Sequence, residues 1–266
     1  MFSVVIPAYN CENTICTVLD SVKNQTRIDL IEEIIIVNDG STDNTEQIIK
    51  QYIENNPNIS INYIKQENKG VSYTRNAGIR KSKSDWIALL DSDDVWLPNK
   101  IEQQYEQVRK NPEILFLGSE YPLKIYLKKY TSGVHKLTAS ALCFRSTPVT
   151  PSVIFHRETG IELGLFNENM QYCEDINFYQ KFILKDSYYV LAEDLVRIGI
   201  GKKYHGAWGL SSNLKKMNQG RNKNVEDLYE MELISIWYKV ITIAFNYVKL
   251  LRRMIILKMC NMIKGK

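Results

Sequence analysis

The chain has 266 residues, 44% of them hydrophobic and 24% charged, and a net charge of +4. That composition supports one sizeable core and excludes a disordered chain, and so small a positive balance gives no argument for a nucleic-acid partner. The five cysteines are odd in number and contain no C-x-x-C pair, which argues against a disulfide framework or a zinc site and for reduced thiols.

Phe2 to Ile6 is a β-branched run closed by Pro7 and reads as a buried strand. No basic segment precedes it, so it does not read as a signal peptide. A helix follows, with Ile15, Val18, Leu19 and Val22 on one face and Asn13 or Thr14 as its cap. Ile31 to Val37 is a second strand, and Ile48, Ile49, Tyr52 and Ile53 mark a second helix. The spacing then predicts a strand over 59–64, a helix over 70–83, a strand over 86–90, a helix over 97–110 and a strand over 114–117. Beyond these, 124–136 reads as a loop or hairpin, 149–156 as a strand, 174–184 as a helix and 188–200 as a strand with a turn. Residues 202–213 read as a loop, and 225 to the end as helix. Short apolar strands alternating with helices predict an α/β fold, a mainly parallel sheet covered on both faces. No uncharged apolar stretch approaches the roughly 20 residues that span a bilayer.

Ligands of such sheets bind beyond the carboxyl ends of the strands, which directs attention to the polar residues that follow each strand. Asp91-Ser92-Asp93-Asp94 follows an apolar strand, and three carboxylates so close together suit a hard divalent cation such as Mg²⁺ or Mn²⁺. The same residues could instead cap the helix that begins near Pro98. Asp39-Gly40-Ser41-Thr42-Asp43 could hold a base and ribose, or form a turn and capping box with Glu46, or do both. Glu174-Asp175 opens a helix, where acidic residues commonly offset the dipole. His205 sits in a Gly-containing loop where a lone histidine can be ligand or scaffold.

Taken together, these segments resemble the family 2 glycosyltransferases. The resemblance runs through Phe2 to Asn10, Val37 to Asp43, Asn68 to Gly78 and Leu90 to Asp94, with a weaker echo in Leu163 to Glu168 before Glu174-Asp175. It covers about residues 1–215 in the family's order. It implies the GT-A fold, a Rossmann-like sheet flanked by helices; the helical pattern outside it makes 216–266 a C-terminal helical extension. It also implies a nucleotide-sugar donor, with UDP as the leading nucleotide, and Mn²⁺ or Mg²⁺ as cofactor. Pro7, Ala8, Tyr9 and Asp39 would line the base pocket, with Arg75 close by. Asp91 and Ser92 would face the ribose or donor sugar, Asp93 would ligate the metal, Asp175 would be the general base, and His205 would lie near the metal. Asn38 stands where the family often has a first Asp. The Q-x-x-R-W motif of processive synthases is absent, which implies transfer of a single sugar, and the resemblance, with one base and no second nucleophilic carboxylate, implies inversion.

After Glu232 no acidic residue occurs, and basic residues interleave with apolar ones; Lys249, Arg252 and Arg253 share a helical face. This pattern fits a helix on an anionic membrane surface or one packed on protein. The first option would suit a lipid-linked or surface-glycan acceptor and a cytoplasmic protein peripheral to the membrane. A nucleotidyltransferase and a non-catalytic sugar-nucleotide module are the rival readings. The former would be expected to carry a Gly-rich basic loop near the first strand, which this chain lacks. A dinucleotide-dependent dehydrogenase is disfavoured because no G-x-G-x-x-G follows that strand.

Overall fold

The computed structural model describes residues 1–120, 132–144, 148–200 and 213–264. The run Phe2–Ala8 forms β1, buried at every position. β2 (Ile31–Asp39) and then β3 (Ile61–Gln66) lie parallel on one side of it, and β4 (Trp86–Leu89) lies parallel on the other. Helices α1 (Ile15–Lys23), α2 (Thr45–Asn55) and α3 (Val71–Lys81) connect these strands, and α4 (Lys100–Lys110) follows β4. This helix starts three residues later than its apolar spacing suggests. The intervening Val95–Trp96 is a short strand, β5, paired antiparallel with a strand at Val196–Arg197.

The second half of the sheet is mixed. β6 (Phe116–Glu120), β7 (Val134–Lys136), β8 (Ile154–His156) and β9 (Tyr189–Asp194) extend it to eight strands in the order β3-β2-β1-β4-β8-β6-β9-β7; Val196–Arg197 is β10 of the small second sheet. β8 runs antiparallel to both β4 and β6, and β7 runs antiparallel to β9. The strand predicted over 149–156 is shorter than expected because Thr150–Ser152 turns as a 3-10 helix. Short helices α5 (Ala139–Phe144), α6 (Arg157–Glu162) and α7 (Glu174–Gln180) cover this half, and the expected end of α7 tightens into a 3-10 segment over Lys181–Lys185.

Alternation along β1 divides the core. Val4 and Ile6 pack with Ile15, Leu19 and Ile49 from α1 and α2, whereas Val5 packs with Ile79 of α3 on the opposite face. That second face continues into an aromatic cluster in which Phe116 lies 4.6 Å from Tyr188 and 5.2 Å from Tyr179, centroid to centroid. Each such ring contributes about 1.5–3 kcal/mol by leaving water, which fixes α7 on the sheet.

Two long helices follow, α8 (Leu214–Glu230) and α9 (Ile236–Lys264). α8 is docked on α7: the Asn177 amide donates to Asn224 Oδ1 (3.0 Å) and Asp227 Oδ2 (2.7 Å), and the Asn224 amide donates to the Cys173 carbonyl (2.9 Å). A Cβ at Gly220 would stand 2.3 Å from the Tyr172 carbonyl oxygen, so only glycine permits this approach. The division expected at residue 215 thus falls inside a helix whose packing joins it to the sheet domain. α9 leans on α8 through a bond from the Asn246 amide to Asn222 Oδ1 (3.0 Å), with Thr242 buried beside it. No helix among the described residues is long and apolar enough to cross a membrane.

Candidate active site

The chain steps from β1 outward to β3 and then returns to the other side of β1 with β4. Beyond the strand ends at that reversal lies the crevice that such sheets use for ligands. Three loops meet there. Pro7 and Ala8 close β1 and are buried, and Tyr9 is half exposed. Asn10, at φ +46°, turns the chain toward the loop after β2. The Asn10 backbone N–H donates to Ser41 Oγ (3.0 Å), the Thr42 N–H to Asn10 Oδ1 (2.8 Å), and the Asn44 N–H to Glu12 Oε2 (2.9 Å). The expected capping box does not form. Ser41 serves the Asn10 turn, and Glu46 pairs with Lys50 (2.7 Å) and Lys65 (2.5 Å). Gly40, at φ +71°, could carry no side chain without strain, since a Cβ would also meet the Asn68 N at 2.9 Å.

Asp39 is buried and organises its surroundings. Its Oδ1 accepts from the Gln66 amide (2.7 Å) and the Lys69 N–H (2.8 Å), and its Oδ2 accepts from the Gly70 N–H (2.9 Å). One carboxylate thereby joins the ends of β2 and β3 to the start of α3, and its lone pairs are largely committed to the protein.

The third loop is Asp91–Asp94. Thr14 Oγ1 donates to the Ser92 carbonyl (2.6 Å), the Ile200 N–H to the Asp93 carbonyl (2.8 Å), and the Gly199 N–H to Asp94 Oδ1 (2.7 Å). The helix-capping alternative is not realised: Asp94 serves Gly199, and α4 begins after Asn99 with no side-chain cap. Asp91, Ser92 and Asp93 are half buried at the mouth of the crevice.

Arg75 ties this loop to the second half of the molecule. It projects from α3, is 4% exposed, and donates through Nη2 to Asp91 Oδ1 (2.7 Å) and through Nη1 to Glu174 Oε1 (3.1 Å). Its guanidinium also lies 5.2 Å from the centre of the Phe166 ring. Burial alone would lower its pKa, but Asp91 and Glu174 outweigh that and raise it. One cation therefore holds the Asp91 turn and the start of α7 in fixed relation.

At that start, Cys173 adopts a left-handed conformation, φ +60°, and Glu174 and Asp175 diverge. Glu174 turns inward to Arg75, whereas Asp175 is half exposed, lines a cavity, and accepts the Ile176 N–H at 2.8 Å. Burial, reinforced by the neighbouring Asp175, pushes the Glu174 carboxyl up to about 7 despite Arg75. A carboxyl raised from 4.5 binds its proton more tightly in the folded state. Its contribution to stability is complete below pH 4.5 and is lost as pH rises through 7. The span amounts to on the order of 3 kcal/mol. Glu174→Gln should therefore gain stability relative to the parent between pH 5 and pH 8, by roughly 2 kcal/mol. Urea unfolding at both pH values measures this, and a gap that does not change with pH would remove the strained carboxyl.

Of the expected site residues, Arg75 and Asp91 thus meet directly; Glu174 shares the same guanidinium, and Asp175 is its chain neighbour, turned to the cavity. Ser92 and Asp93 share the Asp91 turn; Pro7, Ala8, Tyr9 and Asp39 flank the crevice from β1 and β2. His205 lies outside the described residues. Asn76 carries a role that its motif did not disclose: its amide donates to the Phe166 carbonyl and Glu168 (both 2.8 Å) and accepts the Phe166 N–H (3.0 Å), strapping α3 to the loop that precedes α7. Its place in the Asn68–Gly78 run was the available signal.

Among the described residues no group of three or more His, Cys, Asp or Glu could hold a metal ion unaided. Asp91 is shared with Arg75, and Asp93 lies half buried in the same turn. Such a sparse donor set fits Mg²⁺ or Mn²⁺, which commonly bind through one or two carboxylates and complete their shell with substrate phosphates and water.

Residues 3–148 match the model of the family described as Glycosyl transferase family 2. An uncharacterized glycosyltransferase of Rickettsia prowazekii is 30% identical over 234 residues, covering 82% of this chain and 69% of the relative. The chondroitin synthase of Escherichia coli is 30% identical over 195 residues, 68% of this chain but only 26% of that protein. Among solved structures, Staphylococcus aureus TarS 1-349 in complex with UDP-GlcNAc aligns over 92% of this chain and 71% of its own, with a TM-score of 0.71 and 19% identity. The mannosyltransferase PcManGT of Pyrobaculum calidifontis in complex with GDP-Man and Mn²⁺ aligns over 92% and 69%, with a TM-score of 0.70 and 18% identity. The fold is that of the GT-A glycosyltransferases, and the chain belongs to glycosyl transferase family 2.

Proposed function

We propose that the chain is an inverting, metal-dependent glycosyltransferase that moves one sugar from a nucleotide-diphosphate donor, with UDP as the leading nucleotide, to an acceptor hydroxyl. The observation that carries this reading is the Arg75 bridge, which pairs with Asp91 through one nitrogen and with Glu174, the residue before Asp175, through another. Donor-binding and proton-accepting groups must sit this close if a hydroxyl is to attack in line with a departing diphosphate.

Pro7, Ala8, Tyr9 and the loop ordered by Asp39 bound the base pocket. Asp91 and Ser92 face the ribose or donor sugar. Asp93 would hold Mn²⁺ or Mg²⁺, with His205 as a further ligand; bound there, the cation neutralises the diphosphate as a Lewis acid and orients it. Asp175 accepts the hydroxyl proton. Glu174, buried on Arg75, is not available as a nucleophile, so a single displacement with inversion follows. Family membership disfavours the nucleotidyltransferase reading.

The test is a thermal-shift panel of UDP-, GDP- and other sugar nucleotides with and without Mn²⁺, because a ligand of the folded state must raise the melting temperature. A metal-dependent rise with one nucleotide supports the reading. No rise with any donor in Mn²⁺ would leave a non-catalytic module.

The acceptor side of the reading is a lipid-linked or surface glycan, reached from the membrane surface through α9. Its exposed surface is both apolar and basic: Trp237 is 73% exposed, Ile241, Val248, Leu251 and Ile255 continue the stripe at helical spacing, and Lys249, Arg252 and Arg253 are exposed beside it. Five apolar side chains entering the headgroup boundary favour binding, and the arginines add about 1 kcal/mol each at an anionic surface. Trp237→Glu with Leu251→Glu should abolish co-sedimentation with phosphatidylglycerol vesicles and leave the melting temperature unchanged. Equal co-sedimentation would show that α9 does not serve the membrane.

A further inference from the structure

Asp175 opens onto a cavity of about 430 Å³ enclosed by α5, α7, α8 and α9. The wall mixes apolar and polar surface, with Phe144, Met217 and Leu228 among its apolar residues, and two cations line it, Arg221 from α8 and the exposed Lys249 from α9. Among the described residues of the lining, Asp175 is the only carboxylate.

The two cations are near enough to oppose each other. Partial desolvation of the Lys249 ammonium, with Arg221 next to it, lowers its pKa. The Lys249 ammonium rests 4.2 Å from the centre of the Phe245 ring. Bringing like charges together at a cavity costs energy that an anion between them returns. A guanidinium and an ammonium converging on one space form the donor set that phosphate and carboxylate groups use.

We propose that this cavity is the acceptor subsite and that Arg221 and Lys249 bind an anionic group of the acceptor, a phosphate or carboxylate, while its hydroxyl is presented to Asp175. The proposal rests on the glycosyltransferase reading above and names the acceptor class for that same site. The apolar side chains of the wall suit a carbon-rich body between anion and hydroxyl. Lys249 sits on the helix that carries the exposed apolar stripe, so the anion can belong to a lipid-linked phosphate or to a soluble charged saccharide.

The experiment is calorimetric titration of inorganic phosphate into the full chain saturated with UDP, for the parent and for Arg221→Gln with Lys249→Gln. UDP fills the donor phosphate site, so the phosphate response reports the cavity. The parent should bind phosphate in a salt-dependent manner, and the double variant should bind at least tenfold more weakly with UDP affinity unchanged. Equal phosphate affinity in both proteins, or no phosphate binding by the parent, would overturn the proposal. Failure of UDP itself to bind would instead count against the donor reading. Displacement of phosphate by glucose 6-phosphate supports a soluble acceptor, by glucuronate a carboxylate one. Recruitment to phosphatidylcholine vesicles containing a polyprenyl phosphate, lost in the double variant, supports a lipid-linked one.

Discussion

Replacing Arg75 with methionine should destabilise the fold by about 3–5 kcal/mol at pH 8, the cost of removing one partner from a buried charge network. The side chain is only 5% exposed, and its two acceptors, Asp91 and Glu174, are 26% and 12% exposed, so water cannot replace the lost guanidinium at Glu174. Two carboxylates, with Asp175 beside them, would then face one another across an apolar gap near Phe166. The variant has one escape, which is to protonate Glu174. That carboxyl already stands at about 7 with Arg75 present, and without the cation its pKa must rise further. The sign follows: the loss should be smaller at pH 5, where the proton is available, than at pH 8. Adding Glu174→Gln should recover part of it at pH 8 and little at pH 5. Urea unfolding of the single and double variants at both pH values measures this. A loss below 1 kcal/mol at pH 8, or one independent of pH, would show that Arg75 does not neutralise the pair.

Arg75 also marks how far the sequence could be read. The parallel strands β1 to β4 were legible because they are short, apolar and closed by Pro7, Asn38-Asp39-Gly40 or Asp91, and in an α/β layer that pattern has one solution. The polar loops after them were legible for the same topological reason. The role of Arg75 as a bridge was not, because its partners lie 16 and 99 positions away and no local pattern encodes a pairing across that separation. Asp39 reads in sequence as a ligand group, yet its carboxylate serves Gln66, Lys69 and Gly70, bonds that exist only once β3 lies beside β2. The antiparallel course of β8 was hidden too, since three residues, Ile154–His156, carry no directional signal. α9 shows the opposite limit: its basic and apolar residues were evident, but the buried edge is Thr242 and Asn246, and the hydrophobic stripe faces outward. Periodicity gives a face, and only packing says which way it turns.

Asp175→Asn should lower the turnover number of sugar transfer by about 10²–10⁴-fold, the range for loss of a positioned general base, with donor affinity unchanged. The substitution is close to isosteric, and the Ile176 N–H can still donate to Oδ1, so the start of α7 keeps its geometry. What disappears is the proton acceptor and one negative charge. The second loss gives a readout independent of catalysis. Asp175 is, after burial, the largest influence raising the Glu174 carboxyl, so in the variant that pKa must fall toward its ordinary value. The decline in stability between pH 5 and pH 8 should therefore be shallower than in the parent, although Glu174 itself is unaltered. A variant that loses turnover and flattens this slope has lost the charge that lies beside Glu174 and lines the cavity. Turnover within threefold of the parent would remove Asp175 from the chemistry whatever the slope, and a lost turnover with an unchanged slope would mean that the two carboxyls are not electrostatically linked. Only the first outcome fits an arrangement in which neighbouring acids divide the work, one held on Arg75 to position the helix and one turned to the acceptor to take its proton.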